Sequence, residues 1–469
     1  MESAAELRRK ADKAAAEGRF TEAAELYRKE AAIYRKKGDI NGAKVEEMKA
    51  DRYSSSVRLF AHLSGARPWM PTNLSKWEPP YGCYLGGFID RDERLGEPFN
   101  DENFQTHQNP DAFARLVGKK HASLFCYVSY GKKFPSRWAE RLRRQRVAPH
   151  IAWEPNQGLG AVSDDAYLRG FAQDCAATRI PIFLRFASEM NGEWTSYHGN
   201  PTLYKQKWAL IARIFRQIAP NVALLWCVNS IPEKNINEYY PGDEWVDWVG
   251  INFYSVPFYD NDRNRIGLAD NPADILKFVY NLYAKKKPVA IGEYGASHLS
   301  KVDRADRSDW AVKKINELYA SLPRLYPRVK LVDIFDMDNL KHAQPGRQLN
   351  NYSITDSDVV KEGYRRAIAP DYFLSRIGAT ARPTPIVALT PGLSIPRGTL
   401  RISAWARCYA DRFTVEYLLD GKLTGAVAEP GPREADIELT TPGAHRIAAL
   451  VKDDRGRVAA KTEVAITVS

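Results

Sequence analysis

Two stretches of the chain place carboxylates beside small and aromatic residues: Leu-Arg-Phe-Ala-Ser-Glu-Met-Asn-Gly-Glu-Trp (Leu184 to Trp194) and Ile-Gly-Glu-Tyr-Gly-Ala (Ile291 to Ala296). Each sits at the end of a short apolar run, where a strand hands over to a loop. Two carboxyl groups flanking one sugar can hydrolyse a glycosidic bond. One, protonated, assists the leaving oxygen; the other, ionised, attacks the anomeric carbon or activates water. A separation of about 5 Å gives retention through a covalent intermediate, and roughly 6.5–9.5 Å gives inversion. Glu189 and Glu293 are the two candidates. Taken singly, either is equally an ion-pairing group at a strand end, and Arg185 is an available partner on the same strand as Glu189. Their occurrence together is what points to catalysis.

Eight apolar runs alternate with amphipathic stretches between residues 63 and 378: Gly82-Phe88, Ala122-Tyr130, Ala148-Trp153, Ile180-Ala187, Val222-Asn229, Val246-Tyr254, Pro288-Gly295 and Val329-Asp336. Helices fit between most of them, as at Asp164-Ala177, Tyr204-Ile218, Pro272-Lys286 and Asp309-Leu322. This is an α/β pattern of the size and count of a (β/α)8 TIM barrel. In such a barrel the strand C-termini share one mouth, so Glu189 after strand four and Glu293 after strand seven face the same space however far apart they lie in the chain. Residues 1–62 are rich in Ala, Glu, Lys and Arg with apolar positions at helical spacing. Gly18 and Gly38 break them into three helices, and Gly18 to Tyr27 resembles a tetratricopeptide-like hairpin. A docking module and a helical cap are both consistent with that segment. After Pro383, Pro385, Pro391 and Pro396, which mark a linker, residues 385–469 carry alternating strands (Leu400-Trp405, Phe413-Leu419, Ala435-Leu439, His445-Val451, Val464-Val468) separated by turns such as Asp420-Gly421, the pattern of an Ig-like β-sandwich.

Glu-Met-Asn-Gly-x-Trp after strand four, Trp-Glu-Pro after strand three (Trp153 to Pro155), Gly-Ile-Asn-Phe-Tyr on strand six (Gly250 to Tyr254) and Gly-Glu-Tyr-Gly on strand seven resemble glycoside hydrolase family 26. The resemblance spans the barrel and neither flank. It implies a retaining β-glycanase with Glu189 as acid/base, Glu293 as nucleophile and Tyr254 as a hydrogen-bond donor to that nucleophile. It also implies that Trp194 contacts a sugar near the cleavage point. Trp153, Tyr197, His198 and Trp226 are further candidates for the cleft, and Asn229, Asn252 and Asp336 end strands where they bind sugar hydroxyls or brace neighbours. The family's pattern has His immediately before the acid, where this chain has Ser188. That departure leaves the sugar open among β-mannan, β-xylan, β-glucan and a bacterial exopolysaccharide.

Composition agrees with a carbohydrate-binding globular protein, because 11 Trp and 24 Tyr supply flat apolar faces on which sugars stack. The net charge of +11 is scattered rather than gathered into a stripe, so nucleic acid is not an expected partner. The surplus suits an acidic polymer or simply solubility. Five cysteines without a C-x-x-C pair read as structural thiols, and neither cofactor nor metal is expected. There is no run of 18 apolar residues, and the N-terminus lacks a signal peptide's basic start and apolar core. A mature form with its leader removed would look the same, so a secreted or periplasmic location is expected, with a cytoplasmic one as the alternative. Two other functions stand beside the endo-acting hydrolase: a non-hydrolytic carbohydrate-binding protein on the same scaffold, and a polysaccharide-assembly factor that engages a protein partner through the N-terminal helices.

Overall fold

The computed structural model describes residues 2–64, 70–382, 385–410, 412–428 and 431–469, leaving aside the side chain of Asn41. The chain divides into two compact units. One is formed by Trp69–Arg265 with Asn271–Pro383, the other by the two chain ends together with Ile266–Asp270.

The first unit is a (β/α)8 barrel. Its parallel strands are β1 (Cys83–Phe88), β2 (Ser123–Ser129), β3 (Ala148–Glu154), β4 (Ile182–Phe186), β5 (Val222–Asn229), β6 (Trp248–Ser255), β7 (Val289–Ala296) and β8 (Val329–Phe335), each at the place its apolar run predicts. β8 pairs with β1, and the Ala122 N–H donates to the Leu85 carbonyl at 2.7 Å where β2 meets β1. Phe373–Leu374 adds a short strand against β1. Helices follow β3, β4, β6 and β7 at Ala166–Ala177, Pro201–Ile218, Pro272–Tyr283 and Ser308–Leu325, whereas β5 is followed by a 3-10 helix, Glu233–Tyr239. Three helices open with the same two residues, Asn109-Pro110, Asn200-Pro201 and Asn271-Pro272. In each the Asn side chain accepts a backbone N–H of the first turn, and Pro occupies the position whose own N–H has no helical partner.

The barrel interior is crowded enough to require glycine. A Cβ on Gly86 would stand 1.9 Å from Asp333 Oδ1, and Asp333 is fully buried and tied to His150 Nδ1 at 3.0 Å. Gly86→Ala is therefore expected to cost about 1–3 kcal/mol by overpacking. Urea unfolding measures it, and a variant as stable as wild type would show that the Asp333–His150 pair yields freely.

The second unit holds both chain ends. Helices Ala4–Ala16, Phe20–Lys36 and Ile40–Tyr53 are separated at Gly18 and Gly38, both with left-handed backbone (φ 74° and 78°), and they bury Leu7, Ala11, Ala14, Ala23, Leu26 and Tyr27 between them. Residues 56–62, grouped with the helices on sequence, are instead a strand: Ser56–His62 pairs antiparallel with Gly398–Arg407 and Ile386–Ala388. The β-sandwich is thus completed from the far end of the chain. Its two sheets enclose Val57, Leu59, Ile402, Val415, Tyr417, Ile447 and Ile466. Pro383 lies outside the described residues. The stretch read as a linker after it contains two paired strands, Ile386–Ala388 and Leu393–Ile395. The helices rest on the sandwich through Phe20, whose ring lies 4.2 Å from that of Tyr409.

Candidate active site

Glu189 is held by its backbone. The chain leaves β4 at Phe186, and Ala187 and Glu189 both take left-handed conformations (φ 46° and 59°), unfavourable for residues with a Cβ. They are pinned on both sides: the Ala187 N–H donates to the Trp153 carbonyl of β3 and the Glu189 N–H to the Cys227 carbonyl of β5, each at 2.9 Å. Glu293 is placed by a bulge. The pairing of β7 with β6 slips between Ile291 and Glu293, adding Gly292 as an extra residue that re-aims the carboxylate. Gly292 is also required by space, since a Cβ there would lie 2.7 Å from Asn252 Oδ1 and 2.9 Å from Arg185 Nη1.

Donors surround the nucleophile candidate. Glu293 Oε1 accepts from Tyr127 Oη at 2.7 Å and from Arg185 Nη2 at 2.6 Å, and Oε2 accepts from Tyr254 Oη. Oε1 thus has two donors and Oε2 one, which leaves Oε2 the freer oxygen for attack. Arg185 is fully buried, and its Nη1 also donates to Asn252 Oδ1 at 3.2 Å and to the Gly292 carbonyl at 3.0 Å. Burial, reinforced by the charge of Glu293, pushes both phenols well above their ordinary range, so Tyr127 and Tyr254 remain O–H donors. An aromatic floor of Phe88, Phe125, Phe335 and Tyr352 fixes the two rings.

Glu189 stands in a different field. Asn252 Nδ2 and Trp194 Nε1 each donate to it at 2.8 Å, and both favour the ionised form. Burial and the negative charge of Glu293 outweigh them, and the carboxyl is raised above its ordinary value. One carboxylate matched by a cation beside another whose carboxyl is raised is the division of labour an acid and a nucleophile need. Trp194→Phe removes a donor to the ionised form, so Glu189 should keep its proton to higher pH. The alkaline limb of kcat/KM is expected to move upward, and an unmoved or lowered limb in the pH profile would refute that role for the indole N–H.

A third carboxyl group escaped the sequence reading. Glu154 ends β3, accepts from Ser188 Oγ at 3.3 Å, and is pushed up to about 7 by burial and by the charges of Glu293 and Glu189, with Arg185 opposing. Its neighbour Trp153, a cleft candidate on sequence, is fully buried on the opposite face of the strand, stacked 4.3 Å from Phe171. Trp226 is likewise buried, between Tyr240 and Tyr283 in the outer layer, and neither indole reaches the mouth. Tyr197 is buried and donates to the Ser188 carbonyl at 2.7 Å, a brace beneath the acid loop. Asp336 is buried too. It accepts the Ile354 N–H at 2.7 Å, and desolvation with Asp92 nearby holds its carboxyl well above the ordinary range, so it ties loops together rather than meeting a sugar. Trp194 is 45 % exposed and His198 is exposed, both in the loop after β4. Asn252 bridges Arg185 and Glu189, while Asn229 favours ionised Glu189 and exchanges hydrogen bonds with Asn191.

Residues 166–318, which include both Glu189 and Glu293, match the family model described as Glycosyl hydrolase family 26. This part of the barrel is similar to that family. Among curated relatives, a β-1,3-xylanase from an Alcaligenes species is 26 % identical over 134 residues, 28 % of this chain and 26 % of that protein. Endoglucanase H from Acetivibrio thermocellus is 25 % identical over 236 residues, 46 % of this chain and 25 % of that protein. The chain therefore spans about a quarter of the length of these relatives. A family 26 β-mannanase structure from Bacteroides ovatus aligns with 64 % of this chain and 91 % of that one, with 13 % identity and a TM-score of 0.43.

Proposed function

We propose that the chain is a retaining, endo-acting glycoside hydrolase that cleaves a β-linked polysaccharide by double displacement. The observation that carries this reading is the unequal pair at the barrel mouth: Glu293 held by Arg185, Tyr127 and Tyr254, and Glu189 held by neutral donors with its carboxyl raised. In the first step Glu293 Oε2 attacks the anomeric carbon while the glycosidic C–O bond breaks and the leaving oxygen takes the proton of Glu189. In the second, water attacks the same carbon, Glu189 takes its proton, and the Glu293 carboxylate is released. Trp194 contacts the sugar on the leaving side in this reading, which its exposure and its bond to Glu189 support.

One relative's name specifies a β-1,3-xylan and another's a glucan, which supports a polysaccharide substrate without choosing one. The tetratricopeptide-like helices and the Ig-like sandwich serve in this reading as accessory parts, with the helices open to a protein partner of a polysaccharide-handling system. A secreted or periplasmic site of action goes with a polymeric substrate. Among the described residues no helix is long and apolar enough to cross a membrane. The test is product release from mannans, β-glucans, xylans and bacterial exopolysaccharides by wild type beside Glu189→Ala and Glu293→Ala. Cleavage of one polymer that both substitutions abolish supports the assignment, and cleavage indifferent to both overturns it. Binding without turnover by wild type would favour a carbohydrate-binding protein instead.

A further inference from the structure

The mouth of the barrel contains more acid than the two-carboxyl mechanism uses. Glu293 is matched by Arg185 at 2.6 Å, and the guanidinium is further engaged by Asn252 and the Gly292 carbonyl. Glu189 needs no cation, because its role as acid requires the neutral form. Glu154 remains. Strand alternation sends its side chain to the face opposite Trp153, toward the mouth, and the residue is half-buried. The hydrogen-bonding neighbour of that carboxylate is a hydroxyl, Ser188 Oγ at 3.3 Å, and among the described residues no Lys, Arg or His lies within ion-pairing distance of it. Glu293 is balanced by Arg185 in contact, whereas ionising Glu154 adds a second negative charge there with no cation in contact, and burial holds that carboxyl up to about 7 although Arg185 acts against the rise. Burial makes such a charge costly unless a cation meets it.

Position narrows what that cation is. Ser188, whose hydroxyl contacts Glu154, immediately precedes the acid. Glu154 therefore borders the space in which the reacting anomeric carbon is held, and the substituents within reach are those on the same sugar ring. Ser188 is small, so it does not fill the gap between Glu154 and that ring. A protonated amine on the sugar would supply the missing charge through a short charge-assisted hydrogen bond of about 2.7–2.9 Å. An N-acetyl group in its place carries no charge and adds bulk, and a hydroxyl leaves the carboxylate uncompensated. The positive charge of the whole chain does not oppose this, because it is dispersed over the surface and screened beyond about 8 Å at physiological salt.

We propose that Glu154 binds the free amino group of the sugar being cleaved, and that the substrate class is a β-linked polysaccharide containing de-N-acetylated amino sugars. The proposal rests on the hydrolase reading given above and names its substrate. The test compares β-linked oligosaccharides of glucosamine and of galactosamine with their N-acetylated and neutral counterparts from pH 6 to pH 8, a range that spans the ionisation of Glu154, using the full chain as wild type, Glu154→Gln and Glu154→Ala. Cleavage and, separately, calorimetric binding to Glu293→Gln with and without Glu154→Gln are measured. Wild type is expected to favour an amino oligosaccharide over its neutral counterpart by about 10-fold or more in kcat/KM. Glu154→Gln should erase that preference, lowering kcat/KM on the amino substrate about 10–100-fold more than on the neutral one. Equal use of amino and neutral sugars, or a preference that survives Glu154→Gln, overturns the amine site while leaving the hydrolase reading standing. Binding of the amino oligosaccharide that depends on Glu154, with no cleavage by wild type, upholds the amine site and sinks the hydrolase reading. Absence of both binding and cleavage for every amino oligosaccharide overturns the proposal.

Discussion

Glu293→Gln is expected to lower kcat/KM by about 10⁴-fold or more while leaving the protein folded, because it removes the attacking oxygen and almost nothing else. Gln is isosteric, and its amide oxygen can still accept from Arg185, which keeps the cost of leaving that buried guanidinium without its anion below the about 3–5 kcal/mol of a pair broken outright. Glu189→Ala should behave differently. Loss of the acid is felt most on substrates with poor leaving groups, whereas an activated aryl glycoside still glycosylates Glu293 and then waits for a base. Added azide, which needs no base, should restore turnover of that substrate and give a glycosyl azide with the configuration of the starting glycoside. The anomer first formed, read by NMR, checks both assignments together. An azide of inverted configuration from Glu189→Ala would mean that no glycosyl-enzyme forms. Full activity of Glu293→Gln on any substrate would remove Glu293 from the chemistry.

Arg185→Met is expected to be the most damaging substitution that touches no substrate. The guanidinium is fully buried and satisfies Glu293, Asn252 and the Gly292 carbonyl at once. Removing it leaves a carboxylate in the barrel without its cation, a change that costs about 3–5 kcal/mol. Activity should fall by about 10²-fold or more, because the Glu293 carboxylate loses one of the two donors that fix Oε1. Arg185→Lys keeps the charge but cannot span three partners with one ammonium, so it should recover part of the stability and less of the rate. Denaturant unfolding of Arg185→Met alone and combined with Glu293→Gln provides the decisive comparison. The double variant should lose clearly less than the sum of the two singles, since a neutral Gln needs no counter-charge. Strict additivity would mean that the ion pair contributes nothing specific.

The same groups show where sequence reading stopped. Glu189 and Glu293 were legible because each ends an apolar run and each lies in a motif with small neighbours. Glu154 was on view in Trp-Glu-Pro, yet the indole drew attention as a sugar platform and the carboxylate did not. In a half-solvated strand, polar and apolar residues alternate and reveal which face is which. Barrel strands are buried on both faces, so β3 and β5 read as continuous apolar runs whose phase is hidden. One residue of phase exchanges Trp153 for Glu154 at the mouth, and Trp226 for Cys227 inside the barrel. Tyr127 was missed for the same reason, lying in a run of apolar and aromatic residues on β2 with no motif around it. Arg185 was noticed as an ion-pairing group, but the partner it takes comes from another strand.

The sequence by itself determined the eight strands and most of the helices between them, the helical breaks at Gly18 and Gly38 and the two carboxylates at strand ends. All of these follow from local preference and from periodicity along one segment. Tertiary structure decided everything that depends on which segments meet. Closure of the barrel matched Arg185 of β4 with Glu293 of β7, the bulge at Gly292 aimed that carboxylate, and the phase of β3 delivered Glu154 in place of Trp153. It also drew Ser56–His62 away from the helices that precede it and into a sheet with strands more than 300 residues later. Hydrogen-bond partners and the charges a group feels are properties of neighbours in space, and a strand carries no record of them until the chain has closed around it.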